Sequence, residues 1–197
     1  MSEDQKLKEE IASLKNQIRD LEKDLIHDSL TSLKTRSFFE EESKIYLSAI
    51  SNANLGKRRD WFGFKNLSFL FFDIDRFKNV NDIYGHTVGD DVLRTVAGVI
   101  LKGVREGDTV ARWGGEEIVV SLLGANEDDA KEKAENIRKE IEKLTFNDSP
   151  NLKVTISIGV ATNFPGATYE MLLKNADLAL YKAKGMGRNR VVAFSEL

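Results

Sequence analysis

The chain contains no cysteine, which excludes a disulfide framework and a thiolate metal site and fits a reducing compartment. It carries no excess of positive charge. A formal net charge of −3 offers no broad attraction for a nucleic-acid backbone, and no nucleic-acid partner is expected. No apolar run approaches the length of a membrane span, and the opening residues are charged, unlike a secretion signal. Internal repeats and low-complexity tracts are also missing. The expectation is a cytoplasmic protein with no membrane segment in this chain. At 197 residues, 41% of them hydrophobic, it is long enough for one substantial core plus an extension.

The extension has its own period. Leu7, Ile11, Leu14, Ile18, Leu21 and Leu25 recur at alternating spacings of four and three, a heptad seam. Ile at the a positions with Leu at d favours a parallel two-stranded coil, and Glu10 and Lys15 have the signs to pair across it. Residues 1–28 therefore read as a dimerising, signal-transmitting helix, with the alternative of one amphipathic helix packed on its own domain.

Residues 29–197 alternate between helical and strand patterns. "RSFFEEESKIYLSAIS" is helical and is followed by a polar, basic loop. "LSFLFFDID" (67–75) is a nearly continuous apolar run, as in a buried central strand. A short helix is expected over 76–83 and a longer one from about 88, with Val88, Val92, Val96, Val99 and Ile100 on one side. "TVARW" and "EEIVVSLL" are strands joined by Gly114-Gly115, a two-residue hairpin turn. Asn126 caps an acidic first turn, and "LKVTISIGVAT", "TYEMLLKNADLALYKAKG" and "RVVAF" supply strand, helix and strand. The order β-α-α-β-β-α-β-α-β points to an α+β fold with helices flanking a mainly antiparallel central sheet.

Three clusters could carry chemistry. Asp73 and Asp75 end the apolar strand on one face, and Glu116 and Glu117 sit at the hairpin. Burying such carboxylates is costly unless cations or donors meet them. Without His or Cys nearby, oxygen ligands suit a hard cation such as Mg²⁺ or Mn²⁺. Helix caps and solvated hairpin charges are the alternative. "NVNDIYGHTVGDDVL" places Asn81 and Asp90 around a glycine-containing loop, where an amide and a carboxylate can read a guanine edge or simply serve as turn and cap. "YKAKGMGRN" gathers Lys182, Lys184 and Arg188 at a helix end, suited either to phosphate or to the helix dipole.

In this order, "FFDIDRFKNVNDIYGHTVGDDVL", "ARWGGEEI" and "ADLALYKAKGMGRN" resemble the GGDEF-domain diguanylate cyclases. The resemblance runs over about 27–195 and opens with "HDSLTSLKTR". It implies the palm-like fold of nucleotidyl cyclases and condensation of two GTP into cyclic di-GMP and two pyrophosphates by a homodimer whose catalytic domains meet face to face. By the same resemblance, Asp73, Glu116, Glu117 and the Ile74 carbonyl would hold two Mg²⁺ or Mn²⁺ ions, with Glu116 also a candidate base. Asn81 and Asp90 would read guanine. Lys184 and Arg188 would bind phosphates, helped by backbone amides near Phe77. His86 matches no catalytic role and reads as structural.

Arg105 and Asp108 form an R-x-x-D pair, with five residues between Asp108 and Gly114, matching the family's product-binding inhibitory site for cyclic di-GMP. The chain departs from the family pattern at four places. Ile118 stands where Phe is usual, Ser32 and Thr35 replace Gly and Asn, and Asn136 aligns with an Arg that helps clamp product. Arg138, two residues on, is no obvious substitute. A catalytically silent module that binds GTP or cyclic di-GMP is the rival reading. A mixed GTP/ATP enzyme is disfavoured, because the Asp90 carboxylate would face the acceptor N1 of adenine.

Overall fold

The computed structural model describes residues 5, 7, 10–15, 25–54, 63–146, 149 and 151–197. Ile18 and Leu21 of the heptad seam lie outside them. Residues 10–15 are helical, and Leu7, Ile11 and Leu14 are 45–57% exposed.

The elements run β1 (Lys34–Thr35), α1 (Arg36–Asn54), β2 (Leu67–Ile74), α2 (Phe77–Tyr84), α3 (His86–Gly103), β3 (Thr109–Gly114), β4 (Glu117–Leu123), α4 (Glu127–Glu142), β5 (Ile156–Thr162), α5 (Tyr169–Gly185) and β6 (Val191–Ala193), closing on a 3₁₀ turn, Phe194–Glu196. They build one mixed sheet in the order β1-β3-β4-β2-β5-β6. The three internal pairings are antiparallel and the two edge pairings are parallel. Among the described residues, no helix is long and apolar enough to cross a membrane.

All eight residues of β2 are buried, because helices cover both faces of the sheet. Leu70, Phe72 and Ile74 face α3 and α4, against Val92, Val96, Ile137 and Ile141. Leu67, Phe69 and Phe71 face α1 and α5, against Phe39, Leu47, Leu172 and Leu180. Each fully buried Leu or Phe contributes roughly 1.5–3 kcal/mol, so this strand fixes the sheet from both sides. Gly159 lets α5 sit directly on β5. A Cβ there would meet the Ala176 carbonyl at 2.0 Å and the Leu180 amide at 2.3 Å. That close approach sets where the C-terminal end of α5 delivers its basic side chains.

Several expectations shift. Gly114 belongs to β3 and pairs with Glu117 after a register break at Arg112, so the hairpin turn is Gly115-Glu116. Only Gly115, at φ 40°, needs the left-handed region. The strand expected from Leu152 begins at Ile156, the partner of Ile74 at the end of β2; one further backbone bond runs from the Asp75 amide to the Thr155 carbonyl at 2.9 Å. Leu152 and Val154 stay buried without a ladder. The two-residue β1 was not expected; it pairs with β3 through Lys34–Ala111 and Thr35–Arg112. Asn126 caps α4 as expected, its side chain accepting from the Asp129 amide at 2.9 Å.

Candidate active site

The sheet itself creates the central tension of the site. Asp73 on β2 lies directly opposite Glu117 on β4, and like charges facing across a ladder repel. Asp73 is 8% exposed. The Lys184 Nζ, carried in by α5, meets its Oδ2 at 2.6 Å. Burial nevertheless pushes the Asp73 carboxyl above its ordinary value, outweighing Lys184, and Glu116 and Asp75 add to the rise. Glu117 is likewise pushed up, first by burial and then by Asp73, with Lys184 opposing and Glu116 and Asp177 adding. One cation thus serves a group of several carboxylates.

Among the described residues, no three acidic or imidazole side chains converge as a ready-made metal cage; Lys184 is seated on the Asp73 carboxylate instead. The donor set still fits a hard divalent cation, because it is all oxygen and its negative charge is under-compensated. Ile74 is buried, so only its backbone is available to such an ion. Asp177, exposed on α5 near Glu117, has no counterpart among the residues singled out from sequence.

Asp75 behaves differently from Asp73. Its carboxylate accepts from Thr155 Oγ1 at 2.7 Å, Ser157 Oγ at 2.6 Å and the Asn189 amide at 3.0 Å. These donors come from two segments distant from Asp75 in sequence, and they make it a buried anchor rather than an open ligand.

Asn81 and Asp90 are brought together by the residue between them in space. A Cβ on Gly89 would meet Asn81 Oδ1 at 1.9 Å and Phe77 Cζ at 3.4 Å. The amide therefore lies on the glycine backbone next to Asp90. Among the described residues, no side-chain partner satisfies either Asn81 or Asp90, so both remain available to a ligand. Phe77 opens α2 behind Arg76, which takes the left-handed conformation (φ 56°) and supplies no side-chain cap. That leaves the helix N-terminus without a side chain in competition with an anion.

Lys184 and Arg188 flank the end of α5. Arg188 is exposed and borders a cleft of about 440 Å³ that reaches Asp75 and Arg76. His86 is exposed at the start of α3.

The signature hairpin is tied to the segment that precedes β1. Arg112 donates to Asp28 at 3.1 Å and, through Nε and Nη2, to the Gly115 carbonyl at 3.1 and 2.9 Å. Burial alone pushes the Asp28 carboxyl up, but bonds from Thr31 and the Arg112 charge together hold it below its ordinary value. Ser32, in the position where the family has Gly, takes φ 59°. Arg36 stacks over the Trp113 ring at 4.0 Å. Nothing in the sequence pairs Asp28 with Arg112; their meeting follows from the parallel β1–β3 contact.

Arg105 and Asp108 lie at the far end of β3 from the hairpin, about 17–20 Å away at strand rise. Their turn closes on itself. Asp108, with no side-chain exposure, accepts from the Arg105 amide at 3.2 Å and the Leu123 amide at 3.3 Å, and Arg105 Nη2 donates to the Leu123 carbonyl. Asn136 lines a separate groove between α3 and α4 with Lys102 and Lys133. Arg138 is committed elsewhere, to Glu135, Glu142 and Asn189, which removes it as a stand-in clamp.

Comparison with known proteins identifies the family. The family model "Diguanylate cyclase, GGDEF domain" matches residues 25–190. Diguanylate cyclase A of Treponema denticola is 42% identical over 166 residues, covering 83% of this chain and 43% of that protein. VdcA of Vibrio cholerae is 35% identical over 187 residues, covering 93% of this chain and 51% of that protein. The chain thus spans about half or less of these curated relatives. Among solved structures, the coiled coil and GGDEF domain of DgcB from Caulobacter crescentus, in complex with c-di-GMP, superposes with a TM-score of 0.82 at 30% identity, covering 95% of each chain.

Proposed function

The chain belongs to the GGDEF family of diguanylate cyclases, and from that premise we propose that it condenses two GTP into cyclic di-GMP and two pyrophosphates. The observation that carries this reading is the facing pair of Asp73, buried, and Glu117, half-buried, under-compensated and with one lysine, seated on Asp73. A merely structural site would neutralise or remove one of the two acids.

In this reading Asn81 and Asp90 fix guanine, the carboxylate accepting from the ring N–H and exocyclic amine while the amide completes the edge. Lys184 and Arg188 hold the triphosphate, together with backbone amides at the start of α2 near Phe77. Asp73, Glu116, Glu117 and the Ile74 carbonyl hold Mg²⁺ or Mn²⁺, two ions per site. When bound, the ions lower the pKa of the attacking 3′-hydroxyl and offset charge developing on the α-phosphate and the departing pyrophosphate. Glu116 accepts the 3′-hydroxyl proton. The new bond joins that oxygen to the α-phosphorus, the bond between the α-phosphorus and the bridging oxygen breaks, and pyrophosphate leaves. Lys184 moves from Asp73 to phosphate oxygens as the nucleotide enters. The step occurs twice per product.

One domain holds one GTP, so two copies must meet, and the seam of residues 1–28 is the means of pairing them. Arg105 and Asp108 form the inhibitory site for cyclic di-GMP; binding there requires Arg105 to leave the Leu123 carbonyl.

The test is incubation of the purified chain with Mg²⁺ and GTP over a range of protein concentrations. The reading expects cyclic di-GMP, with specific activity rising as the chain dimerises, and product inhibition that Arg105→Ala relieves. GTP binding without product at any concentration would establish the silent module instead.

A further inference from the structure

Arg188 and Asn189 are adjacent non-glycine residues with φ of 67° and 47°. The left-handed region costs roughly 1–2 kcal/mol per residue. Asn tolerates it, but Arg has no local hydrogen bond to offset it. Such a conformation persists only where the surroundings over-determine it. On one side they do so through the end of α5, where the Arg188 amide donates to the Ala183 carbonyl at 3.1 Å and the Gly187 amide to that of Lys184 at 3.4 Å, a Schellman closure. On the other side, Arg190 Nε donates to the Arg188 carbonyl at 3.1 Å, and the remaining bonds run through Asn189. Its amide donates to Asp75 at 3.0 Å, its Oδ1 accepts from Arg138 Nη1 at 2.6 Å, and its Nδ2 donates to Glu142 at 2.7 Å.

Arg138 is unusual in its own helix. It sits on the buried face of α4 beside Ala134, Ile137 and Ile141, with its side chain only 11% exposed. Glu135 takes two of its donors at 2.8 and 2.9 Å and Glu142 one at 2.9 Å. Ion pairs within one helix turn form equally well on the solvent face. The bond they cannot explain is the one to Asn189, 51 residues away in sequence. Glu142 completes a closed three-membered network by bonding both Arg138 and Asn189, the arrangement that rigidifies rather than merely stabilises.

We propose that Arg138 and Glu142 are positioning residues for nucleotide binding. They clamp Asn189 and so hold Arg188 in the left-handed turn that fixes its guanidinium relative to Lys184. The inference rests on the reading of Arg188 as a phosphate ligand. It assigns to α4, which contributes no group to the site, a share of the affinity for the triphosphate.

A double-mutant cycle tests it, using calorimetric binding of a non-hydrolysable GTP analogue with Mg²⁺ to the full chain, alongside the Tm of each variant. Arg138→Lys keeps the charge but loses the fork. It is expected to weaken binding about fivefold, within the range for residues sharing one hydrogen-bond network, and to have no further effect in an Arg188→Ala background. A purely structural role predicts the same loss in both backgrounds, and that result, or no loss in either, overturns the proposal. Asn189→Gly, which keeps the left-handed turn accessible while removing the clamped side chain, should reproduce the cycle if Arg138→Lys folds poorly. If Arg188→Ala alone leaves affinity unchanged, the phosphate reading fails and takes this inference with it. If Arg188→Ala weakens binding but the cycle shows no coupling, only the clamp is wrong.

Discussion

Replacing Glu117 with Gln is expected to stabilise the metal-free protein while sharply lowering its turnover. Glu117 and Asp73 form one cross-strand pair, and directly opposed like charges cost about 0.2–1 kcal/mol. Lys184 stays with Asp73 in the variant, so the repulsion is lost with little attraction given up. For a domain of this size 1 kcal/mol moves Tm by about 2–4 °C, so the metal-free variant should melt up to a few degrees higher. Turnover should fall by about 10²–10³ or more, the loss typical when a group that stabilises developing charge is removed. Magnesium separates the two effects. At a hundredfold excess over its Kd, a bound ion stabilises the wild type by about 2.7 kcal/mol, or about 5–10 °C, and the variant should show a much smaller rise. Differential scanning fluorimetry with and without Mg²⁺, beside a pyrophosphate-release assay, measures all of this. A lower Tm for the metal-free variant would mean that Glu117 is satisfied in the fold, and the charge-deficit reasoning would be refuted.

Three further outcomes are expected. The raised carboxyls of Asp73 and Glu117 mean that the folded protein holds more protons than the unfolded chain in the window between their unfolded and folded values. The associated stability is present at acid pH and lost as pH rises through the folded values. The Tm advantage of Asp73→Asn/Glu117→Gln over wild type should therefore grow from acid to neutral pH in the absence of metal, and a constant difference would sink the assignment. Lys184→Met strips Asp73 of its cation at 2.6 Å and should cost roughly 1–3 kcal/mol in urea unfolding, below the range for fully buried pairs because the lysine is part-exposed; adding Asp73→Asn should restore most of it, and additive losses would argue against the pairing. Gly89→Ala should leave stability unchanged or raise it by up to about 1 kcal/mol, as Ala favours helices. The new Cβ displaces Asn81, so KM for GTP should rise about tenfold with kcat less affected, and an unchanged KM would remove Asn81 from guanine recognition.

The framework was legible because its signals are local. A continuous apolar run marks β2, and the spacing of Ala130, Ala134, Ile137 and Ile141 marks the buried face of α4. The acidic and basic candidates were legible as residue types at strand and helix ends. Their relations were not. The Asp73–Glu117 opposition depends on the register between β2 and β4, and the turn moved by one residue because a break at Arg112 draws Gly114 into the strand. Asp75 looked like a twin of Asp73, yet its donors arrive from Thr155, Ser157 and Asn189, which no spacing rule connects. Arg138 read only as no obvious substitute for a product clamp; its bond to Asn189, 51 residues away, is set by the fold. Gly89 fell within the helix expected from about 88, but no spacing showed that it opens the space taken by the Asn81 amide.

The most direct test of the central claim is mass-resolved product analysis of GTP turnover with Mg²⁺. The account predicts cyclic di-GMP with two pyrophosphates released per product, and a rate at least about a hundredfold lower from Glu117→Gln at equal protein concentration. Product formation by Glu117→Gln at the wild-type rate, or GTP bound by the wild type and left unconverted, would contradict it.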